Sequence, residues 1–64
     1  MEYQGAWQEL QAVATDWVIS QEDDVEAWIA LGRARLGLGS YKEAIVAFRR
    51  AVHILQTTAD EETS

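Results

Sequence analysis

The chain has 64 residues and a net charge of −6, with 48% hydrophobic residues, three Trp, no Cys and no Pro. This length allows one small domain, and a chain of this size buries only about 60% of its unfolded surface. The missing Cys excludes disulfides and thiolate metal sites, and the acidic balance excludes nucleic acid as a partner, because phosphate binding rests on clustered Lys and Arg.

The charges are unevenly placed along the chain. Residues 1–32 carry seven acids and no base, whereas residues 33–56 carry five bases and one acid. Solvated helix faces would explain this distribution, and so would head-to-tail pairing of an acidic surface with a basic one. No segment is long enough to span a membrane, and no basic region and apolar run mark a signal peptide. We therefore expect a cytoplasmic chain with no membrane partner.

The first predicted helix covers about residues 3–20. Its apolar residues recur at three- and four-residue steps and form one stripe, which consists of Trp7, Leu10, Ala14, Trp17 and Val18. A polar break follows at residues 21–24, where either Asp23 or Asp24 can cap the next helix. The step from Asp23 to Glu26 has the spacing of a capping box.

The second predicted helix covers about residues 25–36, and the third about residues 41–56. Gly32 lies inside the second helix, where Gly costs about 1 kcal/mol relative to Ala, and this indicates close approach of another helix. Gly37 and Gly39 are predicted to end the second helix. Ser40 and Glu43 have the spacing of a capping box for the third.

The third helix is apolar over more than half of its circumference. Its predicted inner face consists of Tyr41, Ala44, Ile45, Phe48, Ala51, Val52 and Leu55, with Val46, Ala47 and Ile54 around the side. The free end of a monomer should instead have a polar outer face. The predicted domain covers residues 1–58, and we expect residues 59–64 to form a disordered acidic tail.

Eight residues between positions 28 and 51 occur at a characteristic spacing: Trp28, Leu31, Gly32, Gly39, Tyr41, Ala44, Phe48 and Ala51. This pattern resembles a tetratricopeptide repeat (TPR), a helix-turn-helix unit of 34 residues. Two positions depart from it, since Arg35 stands in place of a Tyr and Gln56 in place of a closing Pro. The missing Pro lets the third helix run on.

The first helix is weakly similar to the sequence 34 residues later. Gly5, Trp7, Glu9 and Val18 align with Gly39, Tyr41, Glu43 and Val52. The simplest interpretation is that the first helix is the second helix of a preceding, degenerate repeat. The resemblance thus implies an all-α, three-helix TPR-like domain, in which one full antiparallel repeat follows a half repeat.

No catalytic constellation is found in the sequence, so we expect a non-enzyme without cofactor or metal. His53 is the only His, and it has no carboxylate or thiol at ligand spacing. The resemblance implies a protein–protein interaction module, whose first helices line a groove for peptides or partner helices. The groove residues would be Glu26, Ile29, Arg33 and Leu36, with Arg33 anchoring an acidic partner. Alternatively, Ile29 and Leu36 merely cover the neighbouring helix.

One and a half repeats are fewer than the three or so that stacked repeats need. We therefore expect a homo-oligomer that packs the third helix on another copy or exchanges the first helix between chains. The expected interface consists of Ile45, Phe48, Val52, Ile54 and Leu55. Two alternatives stay open: a small chaperone or adaptor that covers an apolar helix of one dedicated partner, and a fragment of a longer repeat scaffold.

Overall fold

The computed structural model describes the backbone of residues 2–63 and the side chains of residues 5–58. This part of the chain forms three helices, α1 (Glu2–Ser20), α2 (Val25–Gly37) and α3 (Tyr41–Thr63). The predicted all-α, three-helix fold is thus confirmed, and the bounds of α1 and α2 agree with prediction to within one residue. No helix within residues 2–63 is long and apolar enough to cross a membrane.

The predicted end of α3 at Gln56 is wrong, because the helix continues to Thr63. Neither Pro nor Gly occurs in residues 57–63, so the sequence supplies no residue that stops a helix there. The backbone of residues 59–63 therefore belongs to α3. The side chains of the expected tail, residues 59–64, lie outside the described residues.

Two tryptophan indoles fix the turn between α1 and α2. Trp17 Nε1 donates to Asp24 Oδ2 at 3.0 Å, and Trp28 Nε1 donates to the carbonyl oxygen of Glu22 at 2.8 Å. The other carboxylate oxygen of Asp24 accepts from the backbone N–H of Glu26 at 3.0 Å and so caps α2. The cap therefore lies one residue later than a capping box with Glu26 requires.

A Schellman motif ends α2 at Gly39, one of the two glycines predicted to end the helix, whereas Gly37 is still helical. Gly39 has a φ of 82°, and its N–H donates to the Leu36 carbonyl at 3.0 Å, while the Ser40 N–H donates to the Arg35 carbonyl at 2.8 Å. Arg35 Nη1 also donates to the Glu43 carbonyl at 3.2 Å. The Arg that departs from the repeat pattern thus ties the end of α2 to the first turn of α3.

The three helices lie side by side, with α2 in the middle. α2 contacts both neighbours, whereas no Cα atoms of α1 and α3 come within 8 Å of each other over the described residues. The Cα trace measures 49 × 22 × 12 Å. Three parallel axes 8–10 Å apart, each with a Cα radius of about 2.3 Å, would be roughly 21–25 Å wide. The fold is therefore a single layer of helices, and the described residues supply no second layer to cover it.

Small residues make up most of the core. The buried apolar side chains are Ala14, Val18, Ala27, Leu31, Ala34, Ala44, Ala47, Ala51 and Ile54, and Leu31 is the largest that is fully buried. Alanines let helix axes approach closely, because their side chains end at Cβ. The close approach expected at Gly32 is confirmed: a Cβ there would lie 2.5 Å from the ring of Phe48.

The predicted inner face of α3 is wrong in part. The buried residues that pack on α2 are Ala44, Ala47, Ala51 and Ile54, and Phe48 is half-buried against Gly32, whereas Tyr41, Ile45, Val52 and Leu55 are exposed by half or more. Ile54, which we expected in an oligomer interface, is only 8% exposed and belongs to the core. Both sets recur at three- and four-residue steps, and the set with smaller side chains faces α2 because it permits the closer approach.

Candidate partner-binding surfaces

A notch between α1 and α2 contains most of the predicted groove residues. Its volume is about 390 Å³, and its walls are Leu10, Trp17, Glu26, Ile29, Ala30 and Arg33. Glu26 and Arg33 are exposed, and Ile29 is half-buried. Leu36 is exposed but does not line this notch. The structure thus brings three of the four predicted groove residues together and adds Leu10 and Trp17, which the sequence analysis did not assign to the groove.

Large apolar side chains form a continuous line along the outside of α3. This line, named here the α3 stripe, consists of Tyr41, Ile45, Phe48, Val52 and Leu55. Its steps of four, three, four and three residues are the spacing of a coiled-coil seam, with β-branched Ile45 and Val52 at alternate positions. Ile45 and Val52 are 55% and 51% exposed. A seam of this kind normally lies against a second helix.

Phe48 links the α3 stripe to the centre of the layer. Its ring fills the space that a side chain at position 32 would occupy, so it is half-buried against Gly32. Beside it lies a shallow cavity of about 430 Å³, lined by Ile45, Phe48, Arg49, Val52, His53 and Gln56. The stripe is therefore held in place from below by α2 and remains open on its outer side.

Cations border the α3 stripe on its outer side. Lys42 and Arg49 are exposed, and they lie three or four residues from Ile45 along the helix, which places all three on neighbouring parts of the surface. The described side chains of α1 include no cation, and the exposed Glu9 and Asp16 give that helix a negative surface. Among the described side chains, the layer thus has acids on the outside of α1 and two cations, Lys42 and Arg49, beside the α3 stripe.

Two contacts between helices were not foreseen from the sequence. A Cβ at Gly37 would overlap the ring of Trp7, so the absence of a side chain there lets α1 pack on the end of α2. The guanidinium of Arg50 lies 5.7 Å from the ring centroid of Trp28, within the range of a cation–π contact. Neither contact produces a periodic signal, since each joins residues of different helices.

Among the described residues there is no group of three or more His, Asp or Glu side chains that could hold a metal ion. His53 is exposed, and it borders the α3 stripe beside Arg49. The described surface thus combines exposed apolar side chains on helices with exposed charges beside them.

The chain matches no family model, no curated protein and no solved structure in comparisons with known proteins. Its resemblance to the TPR family stays a prediction that rests on the motif residues between Trp28 and Ala51.

Proposed function

We propose that the chain is a non-catalytic protein–protein interaction module of the TPR type that also associates with itself. The observation that carries this proposal is the α3 stripe, a line of five large apolar side chains along one helix of a single-layer fold, of which four are exposed and Phe48 is half-buried. Exposed apolar patches of this kind on small proteins mark interaction surfaces. A core built mostly from alanine gives the layer few large buried contacts of its own, so a partner surface would stabilise it.

Self-association can be tested by light scattering on a sizing column at two concentrations. We expect the wild type to exceed the 7.2 kDa mass of one chain, and to gain mass as concentration rises. Ile45→Glu should reduce the assembly to single chains while the helical circular dichroism signal persists, because this side chain is more than half exposed. A wild type that stays at the mass of one chain at high concentration would contradict self-association.

The notch between α1 and α2 is the proposed site for a different protein. Its apolar walls and the exposed Arg33 suit an amphipathic helix that carries an acidic residue beside its apolar face. An array of such helical peptides, probed with labelled protein, should show binding that Arg33→Glu abolishes. Arg50→Glu makes the same charge change outside the notch and outside the α3 stripe, and binding should survive it. Equal loss with both variants would mean that net charge, not the notch, determines binding.

A chaperone or adaptor role is the second candidate, in which one dedicated partner covers the α3 stripe. The same open stripe favours it. A wild type that is folded and has the mass of one chain would support this role over self-association. The cytoplasmic location expected from the sequence remains part of the proposal, and microscopy of a fluorescent fusion would check it.

A further inference from the structure

The α3 stripe corresponds to the surface with which α1 packs on α2. Trp7 lies against Gly37, and Ala14 and Val18 are buried with Leu31. A shift of 34 residues carries these three α1 positions onto three members of the stripe, Tyr41, Phe48 and Val52. On α1 this surface is covered by a helix, whereas on α3 it is open, so the stripe has the register of a helix-docking face.

A complementary apolar strip lies on α1. It consists of Ala6, Leu10, Val13 and Trp17, whose steps of four, three and four residues repeat the spacing of the α3 stripe. Val13 is 62% exposed, and Leu10 and Trp17 are half-buried. Glu9 and Asp16 lie four and three residues from Val13, so acids border this strip as cations border the stripe.

We propose that the α3 stripe of one copy docks on the apolar strip of α1 in a second copy, in a head-to-tail arrangement. Within one chain, no Cα atoms of α1 and α3 come within 8 Å of each other over the described residues, so these two helices do not pack as such a seam requires. The contact joins two different surfaces, so every assembly of copies has one unoccupied stripe at one end and one unoccupied strip at the other. Further copies can therefore add until the two ends meet in a closed ring; if they cannot meet, the assembly is an open filament. This inference rests on the self-association proposed above and specifies its geometry.

Charge decides between this arrangement and a twofold pair of α3 helices. A twofold pair would bring Lys42 and Arg49 of both copies to one seam, where like charges repel. The head-to-tail contact instead sets these cations against Glu9 and Asp16. A copy docked on α1 would also form one wall of the α1–α2 notch, since Leu10 and Trp17 belong to both surfaces.

The test uses one variant for each surface and their mixture. Val13→Lys blocks the α1 strip and Ile45→Lys blocks the α3 stripe, and both positions are more than half exposed, so the chain should stay folded. We expect each variant alone to have the 7.2 kDa mass of one chain. Mixed in equal amounts, they should form a species of twice that mass, because one intact stripe and one intact strip remain. Ile19→Lys is the matched control, since Ile19 is exposed on α1 outside the strip, and it should assemble like the wild type.

Two results would overturn the head-to-tail arrangement. If Val13→Lys assembles like the wild type while Ile45→Lys does not, the copies pair through α3 alone, and the proposed self-association still stands. If the mixture remains at the mass of one chain, the two surfaces do not recognise each other.

Raising the salt from about 0.1 to 1 M shortens the screening length from about 10 to 3 Å. A head-to-tail assembly should then weaken, because salt screens the attraction between its opposite charges. A twofold pair of α3 helices would instead become stronger, because salt screens the repulsion between its like cations.

Discussion

The same substitution at two isoleucines of α3 should unfold the chain at one position and leave it folded at the other. Ile54 is 8% exposed and packs in the core, whereas Ile45 is 55% exposed on the α3 stripe. Removing a buried Ile side chain costs about 2–5 kcal/mol, and an unpaired buried carboxylate adds several more. A chain of 64 residues has a total stability of roughly 3–10 kcal/mol. Ile54→Glu should therefore leave the chain largely unfolded.

Ile45→Glu should leave the single chain folded. Full burial of an Ile side chain contributes about 1.5–3 kcal/mol, and less than half of this side chain is buried, so the loss within one chain is on the order of 1 kcal/mol. Helicity at 222 nm and urea unfolding measure the difference in stability, and light scattering measures the assembly. Ile54→Val, expected to cost about 0.5–1.5 kcal/mol, is the control that keeps the core position apolar.

Equal loss of helicity in Ile45→Glu and Ile54→Glu would refute the assignment of the two faces of α3. A folded Ile54→Glu with a weakened assembly would instead restore the interface that the sequence pattern first indicated. The pair therefore tests the packing of α3 directly, independent of any partner.

Three further substitutions test the contacts that hold the layer together, each read from urea unfolding. Gly32→Ala should destabilise by roughly 1–2 kcal/mol, because overpacking against Phe48 outweighs the gain in helix propensity, and Phe48→Leu should relieve this loss. Asp24→Ala removes both the helix cap and a side-chain hydrogen bond to α1, with an expected cost of about 1–2 kcal/mol. Because Asn and Ser both cap helices well, stability that is recovered with Asn but not with Ser would assign the loss to the hydrogen bond with α1. Gly39→Ala should cost about 1–2 kcal/mol at its positive φ, whereas Gly5→Ala, with open space around it, should be neutral or stabilising.

The number of helices, most of their bounds and the features that depend on neighbouring residues could be predicted from the sequence. Apolar periodicity located α1 and α2 to within a residue, and Gly39 ended α2 because its left-handed backbone suits Gly. The close approach at Gly32 followed from the cost of Gly inside a helix. The end of α3 was missed, since the polar and acidic residues at the end of the chain were expected to be disordered, although none of them is a Pro or Gly that would stop a helix.

The face of α3 could not be chosen from its periodicity. Two apolar lines recur along this helix at the same three- and four-residue steps, one of alanines with Ile54 and one of large residues. Ranking by hydrophobicity selects the large residues, because they would bury more area. In the structure the line with small residues faces α2, because the side chains of both helices together determine how close α2 and α3 can come. The sequence of one helix alone does not predict that distance.

The choice of small residues for the core also determines what remains outside. Because Ala44, Ala47 and Ala51 hold α3 close to α2, room for large α3 side chains remains only at Ile54 and, beside Gly32, at Phe48, and the other large residues lie along the open side. Close packing within the layer and an exposed apolar surface on it are thus two consequences of one pattern. A variant with larger residues at these alanines should push α3 outward and disturb both at once, whereas changes at the exposed members of the α3 stripe, such as Ile45 and Val52, should affect mainly the surface. Because core packing and the open surface depend mainly on different residues, exposed residues of the α3 stripe can be substituted without loss of the fold.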